Sequence, residues 1–126
     1  MKPVWLAVEA FCFPTESREK VRGAVELVAG AKPGETVAQG EFGEPIIIMQ
    51  ANAKGKAVDA LLSRVRGTGL SAGMVGDDGV LEFRLDKQQA VLGRVARGDG
   101  LAVKVKFQSF PFDIRKIREE VSRLFA

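Results

Sequence analysis

"LAVKVKFQSF", residues 101–110, decides the fold. Val103, Val105 and Phe107 alternate with Lys104, Lys106 and Gln108. Successive side chains of a β-strand point to opposite faces, so this strand has one apolar and one polar side. Pro111 breaks it, because proline has no N–H to give to a sheet ladder. A sheet of such strands needs helices on one side only.

The rest of the chain fits that requirement. Downstream, Asp113 caps "DIRKIREEVSRLFA", with Ile114, Ile117, Val121 and Leu124 facing inward. Upstream, "MVGDDGVLEFRLD" (74–86) predicts two strands joined at Asp78-Gly79, a dipeptide suited to a hairpin turn. "KQQAVLG" (87–93) predicts a short helical turn capped by Asp86. "GKAVDALLSRVRG" (55–67) predicts a helix with Val58, Leu61, Leu62 and Val65 as its apolar stripe. "TVAQ" and "PIIIMQANA" predict a weak and a strong strand. Near the start, "VWLAVEAFCF" (4–13) reads as a strand that Pro14 ends. Thr15 is the expected N-cap of a helix whose apolar face is Val21, Ala24, Val25 and Val28, with Gly30 as its stop.

The predicted order is β-α-β-β-α-β-β-(short α)-β-α in a single domain over residues 1–126. The fold class is α+β: a two-layer sandwich of a mainly antiparallel sheet with helices packed on one face.

Composition narrows function by exclusion. Histidine and tyrosine are absent and Cys12 is the one cysteine. Ser–His and Cys–His catalysis, an internal disulfide and a cysteine metal cluster are therefore excluded. By parity Cys12 lies on the core side of its strand, as a small hydrophobe rather than a nucleophile. No catalytic residue, metal or cofactor is expected. No apolar run approaches the roughly 18 residues of a membrane span. "PVWLAVEAFCF" is interrupted by Glu9 and reads as a strand rather than a signal peptide. Residues 1–63 carry 7 Lys+Arg and 8 Asp+Glu, whereas residues 64–126 carry 12 and 8. The positive excess lies in the second half, as on polyanion-facing surfaces and also on ordinary solvated ones.

Strand parity then assembles the face away from the helices. It gathers Glu9, Gln50, Asn52, Glu82, Arg84, Lys104 and Lys106, with Trp5, Phe11, Ile46 and Ile48 among them. Aromatic rings stack on bases and Lys or Arg meets phosphates, so this mixture suits single-stranded nucleic acid. An exposed patch of this kind also suits association with another protein chain. A third reading places Trp5 and Phe11 under a loop as edge core.

Other motifs carry less. "GTGLSAG" (67–73) lacks the strand-before, helix-after context of a dinucleotide fingerprint and reads as a loop. "GDDG" (76–79) offers too few oxygens for a Ca²⁺ loop and reads as a turn. Lys87 and Arg94 are placed to extend a basic track from Arg84, and the cations of the last helix read as a solvated face. Gly40-Glu41-Phe42-Gly43 has the letters of a GxxG nucleotide clamp, but it leads into a strand and is flanked by Glu41 and Glu44. It is expected to be a turn or bulge in which Phe42 packs.

"PTESREKV", "GEFGEPIII", "LEFRLDKQQAVLG" and "VKVKFQSFP", in this order, resemble an archaeal family of RNA-binding proteins or predicted exosome subunits. The resemblance runs from about residue 4 to 120. Its markers are Gly40, Phe42, Gly43, Pro45 and Ile46, then Leu85, Asp86, Lys87, Gln88 and Gly93. Glu44 departs from the family's usual Asn. The resemblance implies the ribosomal protein L-five-like fold and a cytoplasmic protein linked to RNA processing or translation, with exosome or ribosome-associated partners. It implies no catalytic residues.

The leading expectation is a non-catalytic RNA-binding module, monomeric or homodimeric and not bound to a membrane. Lys104, Lys106 and Arg84 would meet phosphates, Lys87 and Arg94 would extend the track, and Trp5 or Phe11 would stack on bases. The alternative is a protein-interaction module, homodimer or adaptor, using the same face.

Overall fold

A computed structural model describes residues 2–125, and the side chains of residues 3–125. Its strands are β1 (Lys2–Cys12), β2 (Gly34–Gln39), β3 (Pro45–Ala53), β4 (Val80–Asp86) and β5 (Gly100–Gln108). Its α-helices are α1 (Arg18–Ala29), α2 (Lys56–Val65), α3 (Lys87–Val91) and α4 (Ile114–Leu124). The strands form one antiparallel five-stranded sheet in the order β2-β3-β1-β5-β4. The α+β two-layer architecture is as the alternating strands require.

Alternation sets the core. Leu6, Val8, Ala10 and Cys12 of β1 are buried, as are Leu101, Val103, Val105 and Phe107 of β5 and Leu81, Phe83 and Leu85 of β4. These meet the apolar stripes of the helices: Val21, Ala24, Val25 and Val28 of α1, Val58, Leu61, Leu62 and Val65 of α2, and Ile117 and Val121 of α4. All belong to one continuous cluster. Burial also pushes the Cys12 thiol above its ordinary pKa, consistent with a packing role. No helix among the described residues is long and apolar enough to cross a membrane.

Three local expectations need correction. Ser17, not Thr15, caps α1; its hydroxyl accepts from the Lys20 N–H at 3.3 Å. Residues 74–79 do not form a strand. A 3₁₀ turn occupies Ala72–Met74, and Val75 makes only an isolated bridge to Leu81. The Val75 carbonyl accepts from Arg118 of α4, 3.0 Å from Nη2, and the turn over Gly76–Gly79 follows directly, so the strand does not extend. A turn is present but is centred on Asp77-Asp78, closed by Gly79 N–H to Gly76 O at 2.9 Å, with Gly79 following at a φ of 79°.

Phe42 does not pack. It sits at the β2–β3 turn and is 90% exposed. The turn is held instead by Glu44, whose carboxylate accepts from the Phe42 N–H at 3.0 Å. Gly43 supplies the φ of 78° that the turn requires. The GxxG letters thus build a hairpin, and Glu44 has a structural use in it.

Edge strand β2 is tied to α1 by Glu35, which accepts from Arg18 at 3.2 Å and Arg22 at 2.9 Å. These hydrogen bonds hold the Glu35 carboxyl below its ordinary pKa. A depressed folded-state pKa stabilises the fold above the ordinary carboxylate value, about 4.3, and the gain is lost as pH falls through the depressed value. Glu35→Gln is therefore expected to lower the melting temperature at pH 7 and to have little effect at about pH 2. Thermal melts at both pH values check this. An equal loss at both would show that the ionised carboxylate adds nothing.

Candidate nucleic-acid interface

The sheet side away from the helices holds no buried residue apart from Gly79 at its margin. The cross-strand register orders its side chains into rows. One row runs Gln50–Glu9–Ala102–Arg84, from β3 through β1 and β5 to β4. The next runs Asn52–Ala7–Lys104–Glu82. Toward one end Phe11 pairs with Ile48, and toward the other Trp5 pairs with Lys106. The residues that parity assembled do share one surface, and no loop buries it. Phe11 is 45% exposed and Trp5 is partly exposed, so neither belongs to the buried core.

The small side chain of Ala102 leaves a groove in the middle of this surface. Its volume is about 500 Å³, and Glu9, Arg84, Lys104 and Glu82 line it. A smaller recess of about 70 Å³ continues from it, between Phe11, Gly100 and Ala102.

The cations differ in how firmly they are held. Lys104 meets Glu82 at 3.6 Å and Arg84 meets Asp99 at 3.2 Å, both pairs well exposed. Exposed pairs of this kind are worth about 0–1 kcal/mol, so an incoming phosphate can exchange with the carboxylate. Lys106 donates to the Asp78 carbonyl and lies over the Phe112 ring, 5.4 Å from its centroid. Its backbone pairs with that of Trp5 in the sheet register.

Two expected members lie elsewhere. Lys87 is at the start of α3, and its side chain is only 12% exposed. Its ammonium donates to the Phe11 carbonyl at 2.9 Å and to Glu16 at 2.8 Å, and lies 5.4 Å from the Phe13 ring centroid. It clamps the end of β1 to α3 and does not continue the open face. Arg94 is exposed in the loop after α3, with no ion-pair partner among the described residues.

Residue-by-residue parity also missed a set of loop phenylalanines. Phe110 is 99% exposed and Phe112 50%, both just beyond β5, and Phe42 projects from the β2–β3 turn near the opposite end of the sheet. Loop positions have no parity to read. The available signal was the neighbouring Gly43 and Pro111, which stop the chain from folding either ring into a regular element.

Known proteins match most of this chain in sequence pattern and fold. A family model described as RNA binding matches residues 5–108. The chain belongs to this RNA-binding family. It is similar in structure to a DUF54 protein from Methanothermobacter thermautotrophicus, with 25% identity, a TM-score of 0.82 and 98% of each chain covered. A DUF54 protein from Sulfolobus solfataricus has the same fold at 21% identity, with a TM-score of 0.68 and 96% of each chain covered. A UPF0201 protein from Methanococcus jannaschii does too, at 21% identity and a TM-score of 0.64, with 94% of this chain and 99% of that one covered. No protein of curated function matches the chain.

Proposed function

We propose that this member of the RNA-binding family is a non-catalytic module that lays single-stranded RNA across the open face of its sheet. The observation that carries this is the open face itself. It sets exchangeable cations, Lys104 and Arg84, and the positioned Lys106 beside the unburied rings of Trp5 and Phe11. Cations tracking a backbone and rings stacking on its bases are the two needs of single-strand binding. Arg94, exposed in the loop after α3, lies off this face, and Lys87 serves the fold. The order of the family-like sequence blocks supports a place beside an RNA-processing complex such as the exosome, or beside the translation machinery. The ribosomal protein L-five-like topology belongs to the same reading.

Trp5 is the chain's one tryptophan, so its fluorescence reports on the site directly. Adding single-stranded RNA is expected to quench it. Trp5→Ala is expected to weaken binding about tenfold, the scale of one lost base–ring stack. Light scattering on the free protein separates the rival use of this face. A stable dimer that dissociates on Trp5→Glu, with no response to RNA, would make the face a protein interface. Ile46 and Ile48 would then be its apolar half.

A further inference from the structure

We infer that the groove over Ala102 is a guanine pocket, with Glu9 and Arg84 reading opposite edges of one base. The inference rests on the proposed binding of single-stranded RNA to this face. Its starting point is a feature that phosphate binding leaves unexplained: a carboxylate in the middle of a phosphate-facing surface. Glu9 sits on the central strand, only partly exposed, and its Oε2 accepts from Gln50 Nε2 at 2.5 Å. That bond fixes the carboxylate in place. An ionised carboxylate accepts and never donates, and its oxygens have about four lone-pair sites, so most remain open.

Such a group repels phosphate and selects N–H donors. In the same row Arg84 stands across Ala102 from Glu9, two strands away, where its exposed pair with Asp99 can open to a base edge instead of a phosphate. Strands are about 4.8 Å apart, so the two walls are separated by roughly 10 Å. A base lying flat on Ala102 fills that span and presents one edge to each wall. The Phe11 ring bounds the recess at one end and Lys104 closes the other.

The walls have opposite hydrogen-bonding character, and only one RNA base matches both. Guanine carries two donors, N1–H and the N2 amino group, on its Watson–Crick edge. It carries two acceptors, O6 and N7, on the far edge, where an arginine fork binds well. Uracil offers Glu9 one donor flanked by two carbonyl oxygens. Adenine and cytosine each offer an amino group beside a ring nitrogen acceptor, which the carboxylate repels.

Fluorescence anisotropy with short uridine strands carrying one central guanosine, adenosine, cytidine or uridine tests the inference on the unaltered protein. The guanosine strand is expected to bind about tenfold more tightly than the others, the scale of one bidentate base contact. Inosine, which lacks the N2 amino group, and 7-deazaguanosine, which lacks N7, should each lose most of that preference. Glu9→Gln should bring the guanosine and uridine strands to similar affinity, with thermal melts confirming the fold, and Arg84→Met should do the same from the other wall. Equal binding of all four strands would overturn the guanine pocket and leave RNA binding standing. A preference that survives both inosine substitution and Glu9→Gln would overturn the role of Glu9. Failure of every strand to bind would remove the RNA reading and the pocket with it.

Discussion

Reversing both lysines of β5, as Lys104→Glu with Lys106→Glu, is expected to lower affinity for single-stranded RNA by about 10- to 100-fold near 50 mM salt. The size follows from how the two ammonium groups are held. Lys104 is 56% exposed and its partner Glu82 is 64% exposed, so water already screens their contact. Little is lost when phosphate replaces Glu82. Lys106 is held at Asp78 and over Phe112, yet an ammonium has three donors, so it can also meet a phosphate. Placing two more carboxylates beside Glu9 and Glu82 adds repulsion to the lost attraction. Salt dependence gives a separate signature. Each phosphate contact on a single strand contributes a slope of about −0.7 in log affinity against log salt, so the double variant should be shallower by about 1.4. Anisotropy titrations across a salt series, with circular dichroism melts on both proteins, measure both quantities. Unchanged affinity would take the sheet face out of the proposal. Weaker binding at an unchanged slope would place the damage in the fold rather than in phosphate contacts.

The open face was legible in the sequence because parity is a local property. Val103, Val105 and Phe107 are buried while Lys104 and Gln108 are exposed, as two-residue alternation requires. The same rule placed Trp5, Glu9 and Arg84 correctly relative to one another once the strands were aligned. The helix stripes were legible for the same reason at a different period. What the sequence hid is what periodicity does not encode. The missing strand at 74–79 reflects a 3₁₀ turn at Ala72–Met74 and a turn over Gly76–Gly79, which leave Val75 alone to bridge Leu81. Phe42 looked like packing material because it is large and apolar, but the turn closes on Glu44 and leaves the ring nothing to pack against. The groove arises over Ala102, a small residue that carries no chemical signal until the register sets it between Glu9 and Arg84.

Lys87 is the sharpest case, and the stability it contributes is measurable. In the sequence it is one more cation after Arg84. In the structure its ammonium is bound by Phe11 and Glu16, 76 and 71 positions away. The stem lies against Gly100, where a Cβ would come within 2.6 Å of the Lys87 Cβ and where φ is +110°. Glu16 also accepts from the Phe13 N–H at 3.1 Å, so the ion pair closes the turn between β1 and α1 while joining it to α3. Lys87→Ala is expected to destabilise the fold by about 2–3 kcal/mol, since it removes charge-assisted hydrogen bonds and leaves a half-buried carboxylate unpaired. For a chain of this length that is a fall of roughly 8–12 °C in melting temperature. The double variant Lys87→Ala with Glu16→Ala should cost less than the sum of the single changes, with a coupling of about 1 kcal/mol or more. RNA affinity measured well below the melting temperature should stay within about twofold, because a near-buried ammonium with its donors engaged has little to offer a phosphate. If Lys87→Ala instead weakened RNA binding and left the melt unchanged, Lys87 would belong to the RNA track and the clamp would be incidental. Lys87 and Lys104 would then have the same use, and burial would not be what divides structural cations from binding ones in this fold.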